Sequence, residues 1–286
     1  MITPFSPTGD ALDLPGAQKL ATGLLSGGGC DGLVLNGTTG ESPTTTDAEK
    51  SALVRAVREA VGPGVPVLTG VGSASTAHTV ELARAAELAG ADGLLVVAPY
   101  YSRPPQAAIE AHFLRVADAV GIPVMLYDIP ARTGVRIEVE TMLRLAEHPR
   151  ITAVKDCAYD LLGSAKVIAR TGLAHYSGSE ELNLPLRAVG GVGYVSTVAN
   201  AAPHALRAAL DAYDRGDVAA ATRHHHRTLP LIELMMASGL PGTVTAKALL
   251  GALGLPAGPV REPLQPAATE VADGLLAAYE ELADQG

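Results

Sequence analysis

Seven short runs rich in Val, Leu and Ile recur along the first 200 residues: Gly32 to Leu35, Pro66 to Leu68, Gly93 to Ala98, Pro123 to Tyr127, Ile151 to Val154, Leu173 to Tyr176 and Val192 to Val198. Each reads as a buried strand. Between them, Asp47 to Val61, Thr76 to Ala89, Gln106 to Val120, Glu138 to Glu147 and Asp160 to Arg170 carry apolar residues at helical spacing. Strands that alternate with helices across short Gly- and Pro-containing links require a parallel sheet with helical crossovers. The letters repeat as well: Cys30-Asp31-Gly32-Leu33 returns as Ala91-Asp92-Gly93-Leu94, and Gly64-Val65-Pro66-Val67 as Gly121-Ile122-Pro123-Val124. With a stub at Met1 to Pro4, the pattern predicts an α/β chain folded as a (β/α)8 TIM barrel. A doubly wound open sheet is the alternative, but it normally carries a Gly-rich nucleotide loop after its first strand, and no G-x-G-x-x-G occurs. After Pro203 only helical stretches remain, broken at Pro241-Gly242 and at Leu255 to Pro266. The expected division is a barrel over 1–215 and a C-terminal helical extension over 216–286.

Composition excludes several classes of function. A net charge of -9, with 21 basic residues scattered singly, offers no footprint for a nucleic-acid backbone. The longest apolar run, around Leu94 to Pro99, falls far short of the ~20 residues of a membrane helix. No charged start followed by an apolar segment opens the chain, so a soluble, unexported, cytoplasmic protein is expected. Cys30 and Cys157 are far apart in apolar surroundings and read as reduced thiols.

In a barrel of this kind the site lies at the C-terminal ends of the strands. Of the five lysines, Lys19, Lys50, Lys166 and Lys247 sit in helical patterns where an exposed amine is expected, whereas Lys155 interrupts an apolar run. Burial there would depress its pKa and leave a neutral amine able to attack a carbonyl. The alternative is a lysine that snorkels to the rim or pairs with Asp156. Gly37-Thr38-Thr39-Gly40-Glu41-Ser42 places hydroxyls and backbone N–H groups just past a strand, as a cradle for a carboxylate or as an ordinary loop with Ser42 or a nearby Thr capping the next helix. Tyr127 and the pair Tyr100-Tyr101 offer phenols that relay protons given a partner, or serve packing. Arg132 would grip a carboxylate bidentately or stand solvated.

Other constellations fail. His224-His225-His226 lie on a helix with rings about 100° apart, so they do not converge on one metal and read as a solvated face. Adjacent carboxylates at a strand end, Glu180 and Glu181, point to opposite faces, so at most one faces the site. No G-x-S-x-G motif is present for a serine hydrolase.

Thr3-Pro4-Phe5, Gly37-Thr-Thr-Gly-Glu-Ser42, Pro99-Tyr-Tyr-Ser-Arg-Pro104, Tyr127-Asp-Ile-Pro-Ala-Arg-Thr-Gly134, Val154-Lys155-Asp156 and Tyr176-Ser-Gly178 together resemble the dihydrodipicolinate synthase and N-acetylneuraminate lyase family of Schiff-base aldolases. The likeness runs over essentially the whole chain and is strongest to the dihydrodipicolinate synthase branch of actinobacterial type. It implies a (β/α)8 barrel with C-terminal helices, a homotetramer built as a dimer of dimers, and condensation of pyruvate with L-aspartate-4-semialdehyde in lysine biosynthesis. The resemblance further implies that Lys155 forms an imine with pyruvate and that Thr38 and Thr39 hold the pyruvate carboxylate. Tyr127 would shuttle protons through Thr38 to Tyr101, the latter reaching in from a neighbouring subunit. Arg132 would bind the carboxylate of the semialdehyde and fix Tyr127, while Gly178 and the Val195 carbonyl would line the site. Neither a metal nor an organic cofactor is implied, because the lysine supplies the electron sink.

Three departures from the family pattern stand out: Cys157-Ala158-Tyr159 after the lysine, Ser179 where an Asp commonly follows Ser-Gly, and a start so close to Thr3 that most of the family's first strand is missing or the start site is misassigned. Within the family, the lyases of sialic acids and sugar-derived 2-oxo acids typically have Gly-Ser-Thr-Gly-Glu in the loop and an apolar residue in place of Arg132, which favours the synthase. A barrel that only binds a 2-oxo acid would not need Lys155, Tyr127, Thr38 and Tyr101 together.

Overall fold

The computed structural model describes residues 1–284 and divides into two compact units, Pro66–Val195 and the paired segments Met1–Val65 and Ser196–Gly286. In chain order the first segment supplies α1 (Leu14–Leu25), β1 (Leu33–Leu35) and α2 (Asp47–Val61). The unit Pro66–Val195 then contains β2 (Val67–Gly70), α3 (Thr76–Leu88), β3 (Gly93–Val97), α4 (Gln106–Asp118), β4 (Val124–Asp128), α5 (Pro130–Thr133), α6 (Val139–Leu145), β5 (Ile151–Asp156), α7 (Leu161–Arg170), β6 (Ala174–Ser177), α8 (Asn183–Ala188) and β7 (Gly193–Tyr194). The last segment is helical: α9 (Pro203–Asp214), α10 (Val218–Met236), α11 (Gly242–Ala252) and α12 (Thr269–Asp284).

Strands β2 to β7 pair in sequence order and in parallel throughout. Every residue of β4 is buried, as expected where helices cover both faces of a parallel sheet. Register places Tyr127 beside Lys155, Lys155 beside Tyr176, and Asp128 beside Asp156. All seven apolar runs contain a strand, but β7 is only two residues long. Beyond it, the Ala199 N–H donates to Ser196 Oγ and Asn200 Nδ2 donates to the Thr197 carbonyl, and these bonds draw the backbone into a 3-10 turn, Val198–Asn200, instead of a longer strand.

In the other unit, Met1 to Pro4 is not a strand. Its amine donates to the Val34 carbonyl at 2.8 Å, Ile2 N–H donates to Asn200 Oδ1 at 2.8 Å, and Phe5 forms an isolated bridge with Leu12. Helix α1 carries a Pro in its first turn, where a missing N–H costs nothing, and the Asp13 side chain accepts from the Gly16 N–H. It buries Ala17, Leu20, Ala21 and Leu24 at helical spacing. Thr46, not Ser42, caps α2, through a reciprocal box with Glu49. Helix α11 is buried along most of its length, including Lys247 at 4 % exposure.

Candidate active site

Lys155 is the penultimate residue of β5 and is 8 % exposed. Strand alternation turns Asp156 to the opposite face, where its carboxylate accepts from Ser164 Oγ at 2.5 Å and from the Ala158 N–H at 2.9 Å. The alternative of a Lys155–Asp156 pair therefore fails. The amine instead lies 4.5 Å from the centroid of the Tyr127 ring. Gly178 closes the other side: a Cβ there would sit on Cys157 Sγ and 2.8 Å from Lys155 Cε, so only glycine leaves the lysine its place.

The electrostatics correct one expectation. Burial works against the Lys155 ammonium, whereas the Tyr127 hydroxyl and the nearby Glu180 favour it, and the net direction is upward. Burial alone therefore does not leave a neutral amine at this position. Burial also pushes the Cys157 thiol up to about 11, which keeps it protonated and inert near neutral pH. Glu180 and Glu181 lie on a 3-10 turn, Glu180–Leu182, not on a strand end. Glu180 is buried within electrostatic reach of Lys155, whereas Glu181 accepts a 2.5 Å hydrogen bond from the exposed Tyr159.

On the helix-facing side of the same strands lies a cavity of about 230 Å3, lined among others by Asp128, Asp156, Asp160 and Arg136. Asp128 Oδ1 accepts from the Ile137 N–H at 3.1 Å, and Oδ2 has no partner. Burial, reinforced by Asp156, raises its pKa to about 7.

The loop Gly37–Ser42 follows β1 in the other unit. It is closed by hydrogen bonds from the Glu41 N–H to the Thr38 carbonyl and from the Ser42 N–H to the Gly37 carbonyl. Thr39 Oγ1 lies 2.7 Å from Thr197 Oγ1, and Thr243 Oγ1 donates to the Thr38 carbonyl at 3.2 Å.

Tyr101 is 94 % exposed with a left-handed backbone, φ 72°. Arg132 is exposed on α5, and Val195 is half-buried with its N–H on the Ser177 carbonyl at 2.8 Å. Of the lysines expected on exposed helix faces, Lys19 and Lys166 are exposed, Lys50 is half-buried, and Lys247 is buried against Glu41 at 2.6 Å. Sequence reasoning missed the burial of Lys247 because its partners Glu41, Phe5 and Pro259 come from distant parts of the chain. His226 is exposed, His224 and His225 are half-buried, and among the described residues no three His, Cys, Asp or Glu side chains are grouped to hold a metal.

A buried lysine on a barrel-type strand end, with a phenol under its amine, defines a class of Schiff-base enzymes. The dihydrodipicolinate synthetase family model matches residues 1–282, and the chain belongs to that family. It is 70% identical to 4-hydroxy-tetrahydrodipicolinate synthase 1 of Streptomyces coelicolor over 99% of this chain and 92% of that protein. It is 55% identical to the 4-hydroxy-tetrahydrodipicolinate synthase of Acidothermus cellulolyticus over 94% of this chain and 86% of that one. Among solved structures, a dihydrodipicolinate synthase from Cyanidioschyzon merolae with lysine bound superposes with a TM-score of 0.95 at 37% identity, covering 99% of this chain and 96% of that chain. The Acinetobacter baumannii enzyme complexed with pyruvate gives 0.92 at 31%, covering 99% and 97%. The fold class is the (β/α)8 barrel with C-terminal helices.

Proposed function

We propose that this chain is a pyruvate-dependent lyase that condenses pyruvate with L-aspartate-4-semialdehyde to 4-hydroxy-tetrahydrodipicolinate in lysine and diaminopimelate biosynthesis. The observation that carries the reading is Lys155, buried at a strand end over the Tyr127 ring and beside a glycine that makes room for it. The Lys155 amine, once deprotonated, adds to the pyruvate ketone and expels water as an imine. The protonated imine draws electrons from the methyl group, whose proton leaves to give an enamine; the enamine carbon attacks the aldehyde, whose oxygen takes a proton, and the semialdehyde's own amine then adds to the imine carbon and displaces Lys155, closing the ring. Tyr127 moves the protons, with Thr38 and Tyr101 as the relay. Thr38 and Thr39 hold the pyruvate carboxylate, Arg132 binds that of the semialdehyde, and Gly178 and the Val195 carbonyl line the site.

The exposed Tyr101 on its left-handed backbone supports a role in a neighbouring copy, in a homotetramer arranged as a dimer of dimers. Residues 1–215 form the barrel and 216–286 its helical extension. No helix among the described residues is long and apolar enough to cross a membrane, and the enzyme works in the cytoplasm.

Borohydride added with pyruvate tests the chemistry: a reduced pyruvyl group should appear on the peptide that carries Lys155, and labelling elsewhere, or none, refutes it. A coupled assay with a panel of aldehydes then separates the synthase from a lyase of sugar-derived 2-oxo acids.

A further inference from the structure

Glu41 closes the Gly37–Ser42 loop with its side chain fully buried and its backbone left-handed at φ 55°, a conformation that residues with a Cβ adopt at a cost. Its carboxylate meets Lys247 Nζ at 2.6 Å through Oε1 and the Arg261 N–H at 2.8 Å through Oε2. The ammonium of Lys247 also donates to the Pro259 carbonyl at 2.8 Å and lies 4.1 Å from the Phe5 ring centroid. The Arg261 guanidinium covers the same ring at 4.0 Å, while it grips Glu49 at 2.7 and 2.9 Å.

Two contacts reach the loop from one face of α11. Thr243 and Lys247 stand one helical turn apart, the first holding the Thr38 carbonyl and the second the Glu41 carboxylate. Thr38 and Thr39 lie between these two holds. Replacing a buried ion pair by an apolar pair of similar volume is often neutral or stabilising, whereas removing one partner strands a buried charge, so this pair ties the place of the loop to that of α11.

We infer that Glu41 is a positioning residue for the carboxylate-binding loop and that Lys247, from the C-terminal helices, is its anchor. The inference rests on the reading that Thr38 and Thr39 bind pyruvate. The ion pair holds one conformation of the loop that carries Thr38 and Thr39 before substrate arrives. A loop released from Lys247 would have to be ordered by pyruvate itself, which weakens binding and leaves the later steps at Lys155 intact.

The full-length variants Lys247→Met, Glu41→Gln and the double variant test this, with Leu275→Ala in α12 as a control for general destabilisation of the C-terminal helices. Leu275 is 1 % exposed and far in sequence from the loop, so it reports general destabilisation. In Lys247→Met, KM for pyruvate should rise about tenfold or more with kcat within about threefold, the pattern of lost uniform binding. Amide exchange in residues 36–46 of the free enzyme should quicken about tenfold, with no such change in Leu275→Ala. The double variant should bind pyruvate better than Lys247→Met, since removing the orphaned carboxylate relieves what the single change creates. Should Lys247→Met fail to fold, Glu41→Gln, which keeps the shape, carries the same two measurements. Exchange and KM in the variants no different from Leu275→Ala would overturn the proposal. Absence of a trapped pyruvyl adduct in the wild type would refute the reading of the reaction, and the exchange data would still decide whether Lys247 holds the loop.

Discussion

The Lys155 amine stands 4.5 Å from the centroid of the Tyr127 ring because the two residues occupy directly paired positions on β5 and β4. Parallel neighbours in register point to the same side of the sheet, so the nucleophile and its phenol are held together by backbone hydrogen bonding and not by loop geometry.

Tyr127→Phe keeps the ring under the amine and removes the hydroxyl. We expect kcat to fall by about 10² to 10⁴, the range for loss of a positioned proton carrier. Borohydride trapping at Lys155 should be slowed and not relocated. Unchanged turnover would remove Tyr127 from the proton path.

Gly178→Ala places a methyl group on Cys157 Sγ and against Lys155 Cε. The lysine must then leave its position or β6 must shift, and overpacking of this kind typically costs about 1–3 kcal/mol. Thermal denaturation should show a lower Tm, and adduct formation with pyruvate should be strongly slowed. The double variant Gly178→Ala with Cys157→Ala should recover part of the loss.

Asp128 imposes a pH dependence on stability. Its folded pKa of about 7 exceeds the unfolded value of 3.8, so between these values the native state binds the extra proton, and stability declines as pH rises from about 4 to 7. The full effect is at most about 4 kcal/mol. Asp128→Asn, which keeps the acceptor for the Ile137 N–H, should raise Tm at pH 8 and leave it nearly unchanged at pH 4. Equal Tm shifts at both values would show that Asp128 is ionised throughout.

Arg132→Ala should act on the second substrate. Because Arg132 is exposed on α5, we expect a rise of about tenfold in KM for the semialdehyde, the scale of one charge-assisted contact. Pyruvate trapping at Lys155 should be unaffected. An equal loss for pyruvate would mean that the arginine organises the whole site.

The alternation of apolar runs and amphipathic stretches was enough to locate every strand and helices α2, α3, α4, α6 and α7 to within a few residues, because burial in a parallel sheet writes itself into composition one segment at a time. Helix α1 lies outside that pattern, with Pro15 in its first turn, where a missing N–H costs nothing, and Ala17, Leu20, Ala21 and Leu24 buried at helical spacing. The lone lysine in an apolar strand was legible for the same reason that the strands were, since a charge stands out against an apolar run.

What the letters did not disclose are relations among residues distant in sequence. The surroundings of Lys155 are set by Tyr127, Cys157 and Glu180 meeting around it, a combination that no single segment contains. That Lys247 is buried, and not exposed like Lys19 and Lys166, depends on Glu41, Phe5 and Pro259 converging on α11 from three parts of the chain. Local periodicity fixes which residues leave water, whereas the energy of a buried charge is set by its partners, and those are chosen only when the chain closes on itself.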